Sequence, residues 1–210
     1  MNLAHLPHNV AGVVANRDVR PGRLESMFDL TDRYNFLSVA VLFEGGLIGI
    51  AAALGWWFGV DPLAQLAWTW PGVMWGLAAT VPMFGLFLAS NRFPIGPLRG
   101  IKHFLHEVLG PSLVVCRWYE LLLVAAVAGI GEELLFRGVL QPLVGTLWSN
   151  VIFGLVHFIT LPYAILAGLI GGYLGWLLNA SENILAPIIT HGLYDFLAFL
   201  VVARECRRER

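Results

Sequence analysis

Acid and base stand where apolar sequence should have neither. The stretch "AGIGEELLFRGVL", residues 128–140, carries Glu132, Glu133 and Arg137 among aliphatic neighbours. An ionisable side chain in hydrocarbon costs on the order of 3 kcal/mol or more unless it is paired or faces a wet cavity. Two later apolar stretches repeat the anomaly: "FGLVHF" holds His157, and "THGLYDF" holds His191 and Asp195. Glu44 and Glu120 are the other carboxylates inside apolar runs, and both read as structural or lipid-interface residues.

Spacing sorts these groups. Glu133 and Arg137 are four apart, so on a helix they share a face and can pair. Glu132 is rotated about 100° from Glu133 and escapes that neutralisation. His191 and Asp195 are also four apart, which lets the carboxylate orient the ring. Phe153 lies one turn before His157 and would give the imidazole an aromatic wall. A buried carboxylate with two imidazoles can activate water, the Glu as general base and a His sharing that task or donating to an oxyanion. Each member alone has a plainer reading: a Glu–Arg pair clamps a helix, and a lone His is often a satisfied core residue. Their joint occurrence in three separate apolar segments points to a site.

The elements that must position them are helices in a membrane. The chain has 210 residues, 58% hydrophobic and 13% charged, whereas soluble domains are about half apolar and a quarter charged. Runs at 36–58 and 71–90 approach the ~20 residues needed to cross a bilayer core. Four more follow at 113–140, 147–161, 163–179 and 184–203. The fold class is therefore all-α: a polytopic integral membrane bundle of about six transmembrane helices. It divides into a polar head (1–35), two spans with an interfacial segment (36–112), a four-helix core (113–203) and a basic tail (204–210). Within the second part, "IKHFLHEVLG" suits an amphipathic segment along the interface. The first apolar run begins at Phe36, too far from Met1 for a cleaved signal peptide. Gly45, Gly49 and Ala53, like Ala164, Gly168 and Gly172, form small-residue stripes that let helices approach closely in lipid.

Cys116 and Cys206 match no metal or redox spacing. Cys206 follows the last span, where palmitoylation is chemically suited, although a plain interfacial thiol is the simpler reading. The net charge of −1 argues against nucleic acid as a partner. Orientation follows from the basic residues, since cytoplasmic loops retain Lys and Arg. Of the 13 Lys and Arg residues, all but Arg137 fall on one side of a six-span bundle: Arg17, Arg20, Arg23 and Arg33 before the first helix, Arg92, Arg99, Lys102 and Arg117 before the third, and Arg204, Arg207, Arg208 and Arg210 after the last. Trp56, Trp57, Trp68, Trp70, Trp148 and Trp176 mark the opposite interface. Both termini are thus expected to be cytoplasmic, in the cytoplasmic membrane of a prokaryote. Counting from Arg117 places Glu132 roughly 22 Å deep, and His191 lies about 10 Å below the other face. The site is therefore expected to open to the side without Lys and Arg.

Three motifs carry a family resemblance. "EELLFR", Glu132 to Arg137, resembles the EExxxR motif of the CAAX prenyl protease and bacteriocin-processing (CPBP, or ABI) family of intramembrane endopeptidases. "FGLVH", Phe153 to His157, is similar to its FxxxH motif, and "HGLYD", His191 to Asp195, to its HxxxN or HxxxD motif. They occur in the family's order over residues 113–203. The resemblance implies hydrolysis of a peptide bond within the bilayer, on a membrane-associated protein or peptide, by water activated between Glu132 and His157. His191, helped by position 195, would stabilise the oxyanion, and Glu133 and Arg137 would hold the helix. An ionised Asp195 cannot donate a hydrogen bond, so here it is expected to orient His191. No cofactor is demanded by these residues, yet Glu132, His157 and His191 would also suit a divalent metal such as zinc with an open fourth position. "HEVLG" at 106–110 lacks the second His of HExxH. Two other function classes share the residue set: a non-catalytic peptide-binding or immunity protein, and a small transporter. The transporter would show inverted repeats and broken helices, and neither is visible.

Overall fold

The computed structural model describes residues 29–209. The remaining head, with Arg17, Arg20, Arg23 and the expected lack of a signal peptide, and Arg210 lie outside the described residues. Each helix starts and stops for a local reason. Helix α1, Arg33–Phe58, begins at Asp32, whose carboxylate accepts from the N–H groups of Tyr34 and Asn35, and ends at Gly59 in the left-handed region (φ 69°). Helix α2, Trp70–Arg92, is capped by the Thr69 hydroxyl, which accepts from Gly72 N–H. Then come α3 (Pro97–Phe104), a π-helical stretch π1 (Leu105–Leu109) and α4 (Gly110–Val115). The chain turns by 120° through extended Cys116 and Arg117. It continues as α5 (Trp118–Glu133), a second π-helical stretch π2 (Leu134–Leu140), α6 (Gln141–Val156), α7 (Leu161–Ser181) and α8 (Leu185–Arg208).

The described residues contain no strand, and the bundle is all-α as expected. Helices α1, α2, α7 and α8 are each long and apolar enough to cross a membrane alone. The α5–π2 rod and α6 bring the apolar helices to about six. Helical dihedrals persist through Glu133, Leu134, Leu140 and Gln141, and Gly145 breaks them (φ 83°, ψ 161°). The part of α6 beyond Gly145 is only about 16 Å long, half of a ~30 Å bilayer core. Two helix ends are set by caps rather than by the apolar runs. The third crossing helix starts at Trp118 rather than at 113, because Glu120 caps it by accepting from Arg117 N–H. Helix α6 stops before 161 because Thr160 caps the next helix, accepting from Tyr163 N–H.

Helix α8 is the central post, packed against α2, α4, α5 and α7; α1 leans on α5 and π2, and α6 on α7 and π2. The α7 stripe is used for close contact: a Cβ at Gly154 would stand 2.6 Å from the Ala164 carbonyl and 3.3 Å from Gly168 Cα. The α1 stripe is not. Nothing lies within 4 Å of a Cβ placed on Gly49. The close approach comes instead from α5, where Gly131 sits on the Glu44 carbonyl. Leu42, Phe43, Ile48 and Ile50 of α1 are exposed, a lipid-facing surface.

The two ends of the bundle are unlike. At the basic end, Arg33 pairs with Glu120 at 2.9 Å, and Arg207 Nη2 donates to the carbonyls of Val114 and Cys116, each at 3.0 Å. At the other end the loop between α1 and α2 folds back over the helices. Asn183 Nδ2 donates to Ala67 O at 2.8 Å, Ile184 N to Gln65 O at 3.0 Å, and Pro62 lies on Gly138. All six tryptophans assigned to this interface are exposed.

Candidate active site

Glu132 and Glu133 end α5, and Arg137 follows in π2. Arg137 Nη1 donates to Glu133 Oε1 at 3.0 Å, with both side chains fully buried, and Nη2 donates to Gly171 O at 2.7 Å. Glycine is needed at 171 for space: a Cβ there would be 3.2 Å from both Arg137 Nη2 and the Phe153 ring. The guanidinium lies 4.7 Å from the Phe153 centroid, a cation–π contact in a dry setting. The wide turn of π2 sends Gln141 N–H back to Phe136 O, and the buried Ser149 hydroxyl donates to the same carbonyl at 2.9 Å. Such π-stretches often mark functional positions in helices.

Glu133 has a second partner. His191 Nδ1 is 2.7 Å from the Glu133 Oε1 that also accepts from Arg137. The other ring nitrogen, Nε2, is 3.4 Å from Asp195 Oδ2 and 3.9 Å from Glu132 Oε2. Asp195 thus reaches the ring as its four-residue spacing suggests, and Glu133 adds a shorter contact at the other nitrogen. Four-residue spacing puts Asp195 near the ring but cannot reveal a shorter contact from another helix.

His157 caps the end of α6. Its ring stacks on Phe153 with centroids 4.4 Å apart, and Nδ1 is 2.8 Å from Phe153 O. A carbonyl only accepts, so Nδ1 carries the proton and Nε2 of the neutral ring is an acceptor. That Nε2 faces Glu132 Oε2 at 3.7 Å, and this buried oxygen has no hydrogen-bond partner in the protein. Two acceptors turned towards each other need a shared donor, a proton or a water molecule.

Glu132, Phe153, His157, His191 and Asp195 converge on one cavity of about 350 Å³, with Glu133 and Arg137 packed behind them. The cavity does not lead to the side free of Lys and Arg. It runs along Met83, Phe87 and Asn91 of α2 and Ala198 and Val202 of α8 to Lys102 and Leu105, at the basic end. The loop carrying Pro62 and Leu66 closes the other end against Gly138 and the core.

Residues 113–197 match the family model described as type II CAAX prenyl endopeptidase, Rce1-like. Over those residues the chain is similar to the Rce1-like family. The match begins in α4 and ends in α8, so the Rce1-like segment holds the whole constellation, while α1, α2 and α3 lie outside it. The family so described is one of CAAX-type endopeptidases, and the match agrees with the resemblance of the three motifs. No curated protein and no solved structure matches the chain. Among the described residues, no three His, Cys, Asp or Glu side chains are grouped closely enough to hold one metal ion. The set Glu132, His157 and His191 thus does not form a three-ligand site in this geometry. Tyr163 and Tyr194 also line the cavity. Sequence gave them no signal, because a tyrosine in an apolar helix reads as core.

Proposed function

We propose that the protein is an intramembrane endopeptidase that hydrolyses a peptide bond with water activated by Glu132 and His157. The observation that carries this reading is the pair of facing acceptors, Glu132 Oε2 and His157 Nε2, 3.7 Å apart at the deep end of the cavity. Water placed between them gives one proton to Glu132 as its oxygen attacks the peptide carbonyl. A general base in this role contributes roughly 10²–10⁴-fold. His191, bearing both ring protons, would be held by Glu133 through Nδ1 and would donate from Nε2 to the oxyanion. Asp195 would favour that charge on the ring, and the C–N bond would break as Glu132 returns its proton to the leaving amine. Phe153 keeps the His157 ring in register by stacking.

The substrate would be a membrane-associated protein or peptide reaching the cavity from the basic end. That end would face the cytoplasm, with both chain termini, in the cytoplasmic membrane of a prokaryote. The test is peptide cleavage by the purified protein in detergent or vesicles. Glu132→Gln should lower the rate by about 10²-fold or more with an unchanged unfolding profile. Cleavage that survives this substitution would refute Glu132 as the base. A peptide that binds the parent and is never cut would favour the non-catalytic reading.

A further inference from the structure

We propose that the segment 97–109, α3 with π1, is a lid over the basic-end mouth of the cavity, held shut by a polar latch centred on Glu205. The proposal rests on the reading of the cavity as the substrate site. Leu98, Ile101, Lys102, Leu105 and Leu109 line the cavity. Their spacing places them on one helical face. Arg99, Gly100, His103, Glu107 and Val108 are exposed on the other side. No residue of α3 or π1 is fully buried, so its apolar contacts, Leu105 and Leu109 against the core near Phe87 and Phe104 against Tyr163, are only partial. Elements of that kind open at low free-energy cost.

Beside these partial contacts stands a polar set. Asn91 Nδ2 donates to both carboxylate oxygens of Glu205, at 2.9 and 3.0 Å, and Lys102 Nζ donates to Asn91 O at 2.9 Å. His106 Nε2 is 3.1 Å from Glu205 Oε2, and its Nδ1 is 3.9 Å from Glu209 Oε2. The latch thereby ties both turns of the lid to the ends of α2 and α8. The ends of the segment suit a pivot. Gly96 has φ 50° and ψ −127°, a conformation that side chains disfavour, and Gly110 and Pro111 follow π1. Opening would remove five lining residues and expose the cavity to the interface.

The lid can be freed and clamped. Glu205→Ala should free it, and a cysteine reporter at cavity-lining Ala198, in a Cys116→Ala, Cys206→Ser background, reads the result. Alkylation of the reporter should accelerate by about tenfold, equivalent to ~1.4 kcal/mol at the latch. An unchanged rate in a variant with the parent's unfolding profile would overturn the proposal. The clamp uses geometry already present: a Cβ on Gly110 would stand 3.7 Å from Cys206 Cβ, within the range of a disulfide. Oxidised Gly110→Cys, in a Cys116→Ala background, should slow amide exchange across 97–109 and abolish peptide cleavage, with both restored by reductant. Exchange that ignores oxidation would also overturn the lid. If alkylation and exchange respond while no form cleaves peptide, the lid stands and the protease reading fails. If cleavage proceeds and neither accessibility measure responds, the reverse holds.

Discussion

Arg137→Met is the perturbation that most directly tests how this bundle keeps charge inside it. The guanidinium is wholly buried, 3.0 Å from Glu133 Oε1 and 2.7 Å from Gly171 O. At an effective dielectric of about 20, charges ~3 Å apart attract by roughly 5 kcal/mol, much of it offset by the desolvation of both ions. What remains on removing one partner is the cost of a stranded buried charge, about 3–5 kcal/mol. Methionine fills most of the volume, so the cavity contribution is small, and loss of the Phe153 contact adds about 1 kcal/mol. Against a typical total of about 5–15 kcal/mol, the single variant should unfold about three to four powers of ten more readily. The companion Glu133→Gln, Arg137→Met should recover most of the loss, since replacing both partners of a buried pair is often near neutral. Its amide oxygen can still accept from His191 Nδ1. Denaturant titration in detergent micelles, followed by tryptophan fluorescence, measures both variants. A single variant within about 1 kcal/mol of the parent, or a double variant no better than the single, would refute the pairing.

Asp195→Asn should reduce cleavage less than Glu132→Gln does, because Glu133 already holds the His191 ring at 2.7 Å. An equal loss would give Asp195 a direct part in the chemistry. Gly138→Ala should destabilise the protein by about 1–3 kcal/mol, because the new methyl would stand 2.6 Å from Pro62 O. It should also make the loop around Pro62 more sensitive to protease. Gly49→Ala, with nothing within 4 Å, should change neither. Equal thermal midpoints for these two variants would show that the loop does not seal that end of the bundle.

Much of this protein is determined by local sequence. Apolar runs of spanning length dictate the helices, since a backbone in hydrocarbon must bond to itself. Four-residue spacing dictates that Glu133 and Arg137 meet, and the 100° offset turns Glu132 to another face. The motifs at 132–137, 153–157 and 191–195 stand out because each holds ionisable groups where lipid would reject them, and residues of all three line one cavity. Glu120 proves structural, as its type and position suggest: it pairs with Arg33 and caps α5.

The tertiary structure decided which partners cross between helices. His191 takes Glu133 rather than Asp195 as its short contact because α8 packs directly on α5. No spacing along one helix encodes that distance. The α1 stripe is left facing open space while Gly131 makes the close contact, because which stripe is used depends on the partner's surface. The direction of the cavity was hidden for the same reason. Depth can be counted along a helix, but closure comes from a connecting loop folded back by Asn183 and Pro62. Glu205 likewise lies far in sequence from Asn91 and Lys102. They meet only because the ends of α2 and α8 are packed side by side with α3 lying across them.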